Sequence, residues 1–320
     1  MEQQLPSTIV DLTAVVVAVT DNEPRILLVR DGDLLGLPNG PFDPARHVRL
    51  ESGLRSQVEA QTGLDLYYVE QLYTFGNQYR DVRETNDGPR VISVAYVALT
   101  HEDAVDESSA EWHNGYSFLP WEDWRSGQPE VMAETIVPQL DQWVRDATTT
   151  VDRRRRKERV NVTFGQTEDS AMDAVLCPDR YELLYEACIV SEAESDAQKL
   201  ATETGDMSDS ELGIALSSDH RRILATALGR LRGKLAYRPV VFDLLPAEFT
   251  MLQLQHVVEA LSGAEVHKQN FRRLVFNADL VESIGRNSAR GRGRPAELFR
   301  FRREVLGEKL TVGLSRPTLR

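Results

Sequence analysis

Two cysteines in 320 residues, Cys177 and Cys188, with ten mostly acidic or apolar residues between them, leave no room for a disulfide framework or a zinc-ligand pair. Both read as ordinary thiols. Long apolar runs are also missing: nothing approaches the roughly 18 consecutive apolar residues of a membrane span. The start, Met1-Glu2-Gln3-Gln4, lacks the basic-then-apolar order of a signal peptide. The expectation is a cytoplasmic protein with no membrane partner. There is no internal repeat and no low-complexity tract, and collagen-like or fully disordered chains are excluded by 41% hydrophobic and 27% charged residues. Positive charge is scarce as well. Lys and Arg number 37 against 50 Asp and Glu, a net of −13, and an acidic surface repels a phosphate backbone. Taken whole, the chain has the length of about two domains and the wrong sign for nucleic acid.

The distribution of charge reverses that expectation. Residues 237 to 320 hold 14 Lys and Arg against 9 Asp and Glu, a net of +5, which leaves −18 for residues 1 to 236. Glu265 to Arg303 alone holds 10 basic and 4 acidic residues. Such an asymmetry points to nucleic acid at the basic end.

The N-terminal part alternates strand and helix signals. Ile9 to Thr20 reads as a strand, Asp21-Asn22-Glu23-Pro24 as a turn, and Arg25 to Arg30 as the returning strand of a hairpin. The loop Leu37-Pro38-Asn39-Gly40 leads to a helix from about His47 to Thr62, stopped by Gly63. Strands are expected at Leu66 to Phe75, Val91 to Thr100 and around Tyr116 to Leu119, and a helix at Met132 to Asp146. The run Asp152 to Lys157 breaks that helical pattern, and Glu168 to Glu211 carries 13 acidic residues against Arg180 and Lys199. Residues 147 to 211 are therefore expected to be an inserted, partly mobile region. His220 to Leu235 carries Ile223, Leu224, Ala227, Leu228, Leu231 and Leu235, the apolar stripe of an amphipathic helix expected to pack on the first domain.

The tail reads as a DNA-binding module. Thr250-Met251-Leu252-Gln253 matches a capping box that opens a helix. Gly263 ends it, and after a three- or four-residue turn a second helix starts near His267, the spacing of a helix-turn-helix. With Phe271, Leu274 and Val275 turned inward, Gln269, Arg272 and Arg273 face outward, flanked by Lys268 and Asn270. Arg bonds guanine bidentately, Asn and Gln bond adenine, and Lys neutralises phosphate. Beyond Ile284, the segment carrying Arg290, Arg292 and Arg294, followed by the alternating Glu297 to Phe301, reads as a hairpin wing. Arg292-Gly293-Arg294-Pro295 also resembles an AT-hook core, whose arginines enter a narrow minor groove. The DNA-binding set is thus Thr250, Lys268, Gln269, Asn270, Arg272, Arg273, Arg290, Arg292 and Arg294.

Leu37-Pro38-Asn39-Gly40, the helix end Gln61-Thr62-Gly63-Leu64 and Gln71 to Gly76 resemble a Nudix domain over roughly residues 8 to 122. A Nudix box places helix carboxylates on a Mg²⁺ that activates water. Counted back from Gly63, the corresponding positions read Ser56, Gln57, Val58, Glu59, Ala60 and Gln61, and the earlier Glu is Val48. All four carboxylates are missing. Glu51 and Glu59 remain, but eight residues of helix put them roughly 12 Å apart. No catalytic residue and no metal ligand is assigned. Joined to the tail, the pattern resembles the Nudix-related transcriptional regulator (NrtR) family, with Asp219-His220-Arg221-Arg222-Ile223, Leu244-Leu245-Pro246 and Asn270-Phe271-Arg272-Arg273 in support.

That resemblance implies an α+β protein: an N-terminal Nudix-like α/β/α sandwich over residues 1 to 236 and a C-terminal winged helix-turn-helix over residues 237 to 320. It also implies a homodimeric repressor of NAD-metabolism genes on a pseudo-palindromic double-stranded operator. No cofactor is required, and ADP-ribose or a related nucleotide is the effector that releases the DNA. The effector-binding residues it implies are Arg80, Asp81 and Arg83, which match an R-D-x-R segment, with Phe75 as a ring that stacks a base or packs. The competing reading is an active Nudix hydrolase of a nucleoside diphosphate derivative with a rearranged metal site.

Overall fold

The apolar run of β1 (Thr8–Thr20) becomes the centre of a mixed sheet because both its faces are buried in a computed structural model of the chain. Leu12, Ala14 and Val16 enter one core, Val15 and Val17 the other, following the two-residue period of a strand. The structure describes residues 7–32, 34–78, 81–84, 88–102, 105, 109–165, 173–193, 211–235, 240–288 and 295–302. β1 turns through Asp21 and Asn22, both at positive φ, into antiparallel β2 (Glu23–Asp31), the backbone a two-residue hairpin needs. β3 (Leu34–Gly36) extends β2, while β4 (Asn39–Pro41) pairs with β1. β6 (Arg90–Leu99) runs parallel to β1, and β5 (Tyr68–Phe75) closes the order β3-β2-β1-β6-β5. β7 (Ala110–Asn114) pairs with β2. The strand expected around Tyr116 to Leu119 lies earlier, in β7. Asn114 instead caps a tight turn at Gly115–Ser117, its side chain accepting from Tyr116 N.

Helix α1 (Leu50–Thr62) covers one face with Leu54 and Val58 and ends at Gly63, whose φ of 75° needs no Cβ. The other face receives the helix His220–Leu235, called α5 below, through Ile223, Leu224, Ala227, Leu228 and Leu231. Burying each of these side chains is worth about 1.5–3 kcal/mol. The result is the expected α/β/α sandwich.

The described parts of residues 147 to 211 are more ordered than a mobile insertion would be. Helix α2 (Val137–Arg145) is followed by α3 (Thr150–Phe164), which runs straight through the basic stretch that was expected to break the pattern. Thr149 caps it by accepting from Asp152 N, Arg154 pairs with Glu158 one turn on, and Arg156 stacks on Trp143 at 4.4 Å. Helix α4 (Cys177–Glu186) then packs against α5. Arg180 is fully buried and bidentate on Glu122, Arg221 pairs with Glu192 at 3.0 Å, and Arg222 with Glu182 at 2.6 Å. These described parts are built into the core rather than appended to it, while 166–172 and 194–210 lie outside the described residues. Cys177 is buried, and burial together with the neighbouring Glu122 carboxylate pushes its thiol pKa up; Cys188 is exposed.

Beyond Val240 comes a second, three-stranded sheet in the order β8 (Phe249–Thr250), β10 (Glu297–Phe301), β9 (Val281–Asn287), with helices α6 (Met251–Ser262) and α7 (Lys268–Asn277). This is a winged helix. The turn between its helices, Gly263 to His267, has five residues, longer than expected. The boundary expected at residue 236 falls among residues 236–239, outside the described residues. One continuous apolar cluster links Val15 and Leu28 of the first sheet, through Leu224 and Leu231, to Leu254, Val258, Phe271 and Phe299.

Candidate functional site

The sequence places a capping box at Thr250, and the geometry is complete. The Thr250 hydroxyl accepts from Gln253 N at 3.2 Å, and the Gln253 side chain accepts from Thr250 N at 2.8 Å. Met251, Leu254, Val257, Val258 and Leu261 bury the inner face of α6. Gly263, at φ 70°, turns the chain, and the Glu259 carboxylate braces that turn by accepting from Val266 N at 3.1 Å and from Gln255 at 2.9 Å. Phe271 and Val275 then pin α7, with Leu274 half-buried. Seating those two rows fixes what faces outward: Lys268, Gln269, Arg272 and Arg273 are exposed, and Asn270 is half-buried with its Oδ1 accepting from Arg273 at 2.8 Å.

Among the described residues Lys268, Arg272 and Arg273 form no ion pair, whereas three others of the same domain do: Arg286 with Glu248, Arg300 with Glu282, Arg302 with Asp279. Within the described residues of 240–302 the unpaired positive charge therefore lies on α7. Thr250, Leu252, Arg272, Phe276, Glu297 and Phe299 line a cleft of about 330 Å³ between the start of α6, α7 and β10. Arg290, Arg292 and Arg294 lie outside the described residues, at the connection between β9 and β10.

At the end of the first sheet nearest β4 a polar niche is assembled from four strands. Phe75 on β5 stands opposite Ser93 on β6, and Ser93 opposite Asp11 on β1, which stands opposite Pro41 on β4. Directly opposed residues share a face, so Phe75, Ser93 and Asp11 line one side of the sheet. Thr13 joins them through a 2.7 Å hydroxyl contact with Ser93. Arg83 closes the niche: its guanidinium grips Asp81 bidentately, at 2.8 and 2.7 Å, and also donates to both oxygens of Asp11. Its hydrogen bonds with Asp81 and Asp11 push its pKa up and lock the positive charge. The structure thus brings Phe75, Asp81 and Arg83 to one end of the sheet; Arg80 lies outside the described residues. Phe75 is itself buried, edge-on to exposed Tyr73 at 5.3 Å.

Asp11 and Thr13 were missed from sequence. The available signal was their alternation, two polar residues at i and i+2 inside an otherwise apolar strand. On the opposite side of the same strands, Gln57 and Gln61 of α1 each donate an amide N–H to a β4 carbonyl, Pro41 O and Asn39 O, both at 2.7 Å. Their Oε1 atoms have no hydrogen-bond partner among the described residues. Gly40 lies close beneath them: a Cβ there would sit 3.3 Å from the Gln57 amide, which would have to shift slightly. Glu51 is engaged by Arg55 at 2.8 Å. Among the described residues no group of three or more His, Cys, Asp or Glu is arranged to hold a metal ion, and no helix is long and apolar enough to cross a membrane.

Comparison with known proteins agrees with this geometry. Residues 241–301 match the NrtR DNA-binding winged helix domain. A stretch of 90 residues is 34% identical to the ADPR responsive transcriptional repressor NtrR of Acinetobacter baylyi, covering 28% of this chain and 36% of that protein. The match thus spans about a third of the length of that curated relative. Among solved structures, Shewanella oneidensis NrtR in complex with a 27mer DNA superposes with a TM-score of 0.54 over 93% of this chain and 95% of its own, at 22% identity. A MutT/nudix family protein from Enterococcus faecalis gives 0.51 over 94% and 90%, at 16% identity. At such identities the likeness is one of fold: a Nudix-like sandwich carrying a winged helix.

Proposed function

We propose that the chain, which matches the NrtR DNA-binding winged helix domain over residues 241–301 and carries a Nudix-like sandwich in front of it, is a transcriptional repressor of the NrtR kind that controls NAD-metabolism genes and is released from its operator when ADP-ribose or a related nucleotide binds. The observation that carries this reading is the face of α7: Lys268, Gln269, Arg272 and Arg273 exposed together on a helix whose opposite face is seated in the core. Arg272 and Arg273 supply guanidinium forks for guanine, Gln269 and Asn270 amides for adenine, and Lys268 a phosphate contact. Thr250 borders the same cleft from the start of α6. Arg290, Arg292 and Arg294 extend the contact into the adjacent minor groove.

One winged helix covers one half-site, so the functional unit is a homodimer on a pseudo-palindrome, acting in the cytoplasm. Residues 1 to 236 sense and residues 237 to 320 read. The niche of Phe75, Asp81 and Arg83 takes the effector, and Arg80 of the same R-D-x-R segment is assigned to the site by the family resemblance alone: a diphosphate competes with Asp81 and Asp11 for the Arg83 guanidinium, a bidentate exchange between two kinds of oxyanion.

The sandwich does not hydrolyse what it binds. Mg²⁺ needs oxygen ligands, and α1 instead aims amide N–H donors at the carbonyls of β4 from Gln57 and Gln61. That donor set does not fit the ion, and no step of the proposed mechanism passes through one. The test is anisotropy titration of a palindromic operator from an NAD-biosynthesis promoter, with and without ADP-ribose, and Mg²⁺-dependent turnover measured in parallel. Specific binding relieved by the nucleotide without turnover supports the reading. Turnover without specific binding replaces it with the hydrolase.

A further inference from the structure

Between the sandwich and the winged helix lies a cluster of buried polar groups that neither the operator contacts nor the effector niche uses. Helix α6 ends with carbonyls that have no intrahelical partner, as every helix does. Two of them are satisfied from the other domain. The Tyr116 hydroxyl donates to Ala260 O at 2.7 Å, and Arg232 Nε donates to Leu261 O at 3.1 Å. A third contact crosses the same gap: Trp124 N donates to Gly263 O at 2.6 Å, next to a parallel bridge between Trp124 and Ala264. The approach is so close that a Cβ on Gly263 would collide with Glu122 O, Arg232 Nη2 and the Tyr116 hydroxyl.

The cation in this grip is fully desolvated. Arg232 is neutralised by Glu122, which lies at 0% exposure and also receives Arg180 from α4, bidentately at 2.6 and 2.9 Å. Burial works against the Glu122 charge, but the two guanidiniums outweigh it and hold its carboxyl below the usual carboxylate range. Burial pushes the Tyr116 phenol up to about 12, so it remains a proton donor. Breaking such a pair by removing one partner leaves an uncompensated buried charge. The arrangement therefore resists gradual deformation. The part of residues 147 to 211 that carries Arg180 thereby gains a role: its guanidinium meets that of Arg232 on Glu122, so one buried carboxylate ties α4 to α5.

The same helix that carries Arg232 begins at His220, whose Nδ1 accepts from Leu37 N at 3.1 Å in the loop before β4. Twelve residues of α5 separate these two anchors, about 18 Å of continuous helix. One end is tied to the loop beside the sensing sheet and the other to the end of the helix that opens the DNA-reading motif.

We infer that Tyr116 and Arg232 are positioning residues that fix the DNA-reading helices to the sensing domain, and that α5 transmits a shift at the Leu37 loop to α6 through their bonds to Ala260 and Leu261. The inference rests on the proposed effector-released repressor, and its test separates the two. In the full-length dimer, operator affinity is measured by anisotropy with and without ADP-ribose, effector affinity by calorimetry without DNA, and folding by circular dichroism melts. For the unmodified protein ADP-ribose is expected to weaken operator binding by roughly ten-fold or more. In Tyr116→Phe, which removes only the hydroxyl, and in Arg232→Lys, which keeps the charge on Glu122 but loses the fork, ADP-ribose affinity is expected to stay within about two-fold while its effect on operator binding falls below about two-fold. A merely structural role would lower melting temperature and operator affinity yet leave the ratio of the two operator affinities intact. A folded variant that keeps the full response overturns the coupling alone. An unmodified protein with no response overturns the repressor reading and the coupling with it. Should one variant fail to fold, the other decides.

Discussion

Restoring carboxylates to α1 tests what its glutamines do. In Gln57→Glu/Gln61→Glu, each amide donor that bonds a β4 carbonyl at 2.7 Å is replaced by an oxygen facing an oxygen. A neutral hydrogen bond of this kind contributes about 1 kcal/mol net, and leaving a partly buried acceptor unpaired costs about 1–3 kcal/mol. Two half-buried sites therefore sum to roughly 2–4 kcal/mol. For a domain of this size each kcal/mol moves the melting temperature by about 2–4 °C, so the double variant is expected to melt roughly 5–15 °C lower in EDTA. Added Mg²⁺ should recover part of the loss, because carboxylates and carbonyls together now offer the ion oxygen ligands, whereas the unmodified protein should not respond. Melting curves with EDTA and with Mg²⁺ read both effects. Unchanged melting of the double variant in EDTA would refute the claim that these amides hold the helix to the loop. A Mg²⁺-dependent rise in the unmodified protein would refute the claim that the site has lost its ion.

Arg273→Ala should cost about 1–3 kcal/mol on the operator and relax specificity, while Lys268→Ala should weaken all duplexes alike and lower the salt slope by about one contact; identical behaviour of the two would mean that the reading face is misassigned. Thr250→Ala removes the hydroxyl half of the capping box, while the backbone N–H that Gln253 accepts from stays, and should destabilise the winged helix by about 1 kcal/mol, visible as a lower denaturant midpoint. Arg83→Ala removes the guanidinium that buried Asp11 and Asp81 share, so ADP-ribose affinity and melting temperature should fall together, and a variant with unimpaired effector binding would exclude Arg83 from the site. Because the Glu122 pKa is depressed in the folded protein, its stabilising contribution is complete above the ordinary carboxylate range and lost as the pH falls through the depressed value. Acid titration followed by tryptophan fluorescence should therefore show the two domains separating at the acid end, and Glu122→Gln should flatten that limb.

Several features of this protein were legible because the signals that encode them are local. The Thr250 to Gln253 box, the glycine stops at Gly63 and Gly263, the stripe from Ile223 to Leu235 and the outward set on α7 all arise within one or two turns of chain, where periodicity and capping chemistry act. The carboxylates missing from α1 were equally plain, since the family spacing fixes the positions to inspect. What the chain did with residues 147 to 211 was not legible. A run of five basic residues and an acidic surplus suggested an inserted, partly mobile region, yet Arg180, in a described part of it, sits at 0% exposure against a carboxylate 58 residues away. Neither partner stands out by itself, and only folding brings them together.

The sequence by itself determined most of the helices and strands, which face of α7 points outward, and that negative and positive charge gather at opposite ends of the chain. The tertiary structure decided the rest: that Asp11, Ser93 and Phe75 meet across three strands, that Arg83 is held by two carboxylates, and that Tyr116 and Arg232 cap a helix of the other domain across 144 and 29 residues of sequence. The physical reason is the range of the forces involved. Backbone propensity and capping act over a few residues, while a buried charge or an orphan carbonyl can be satisfied only by whatever group the packed core delivers to it.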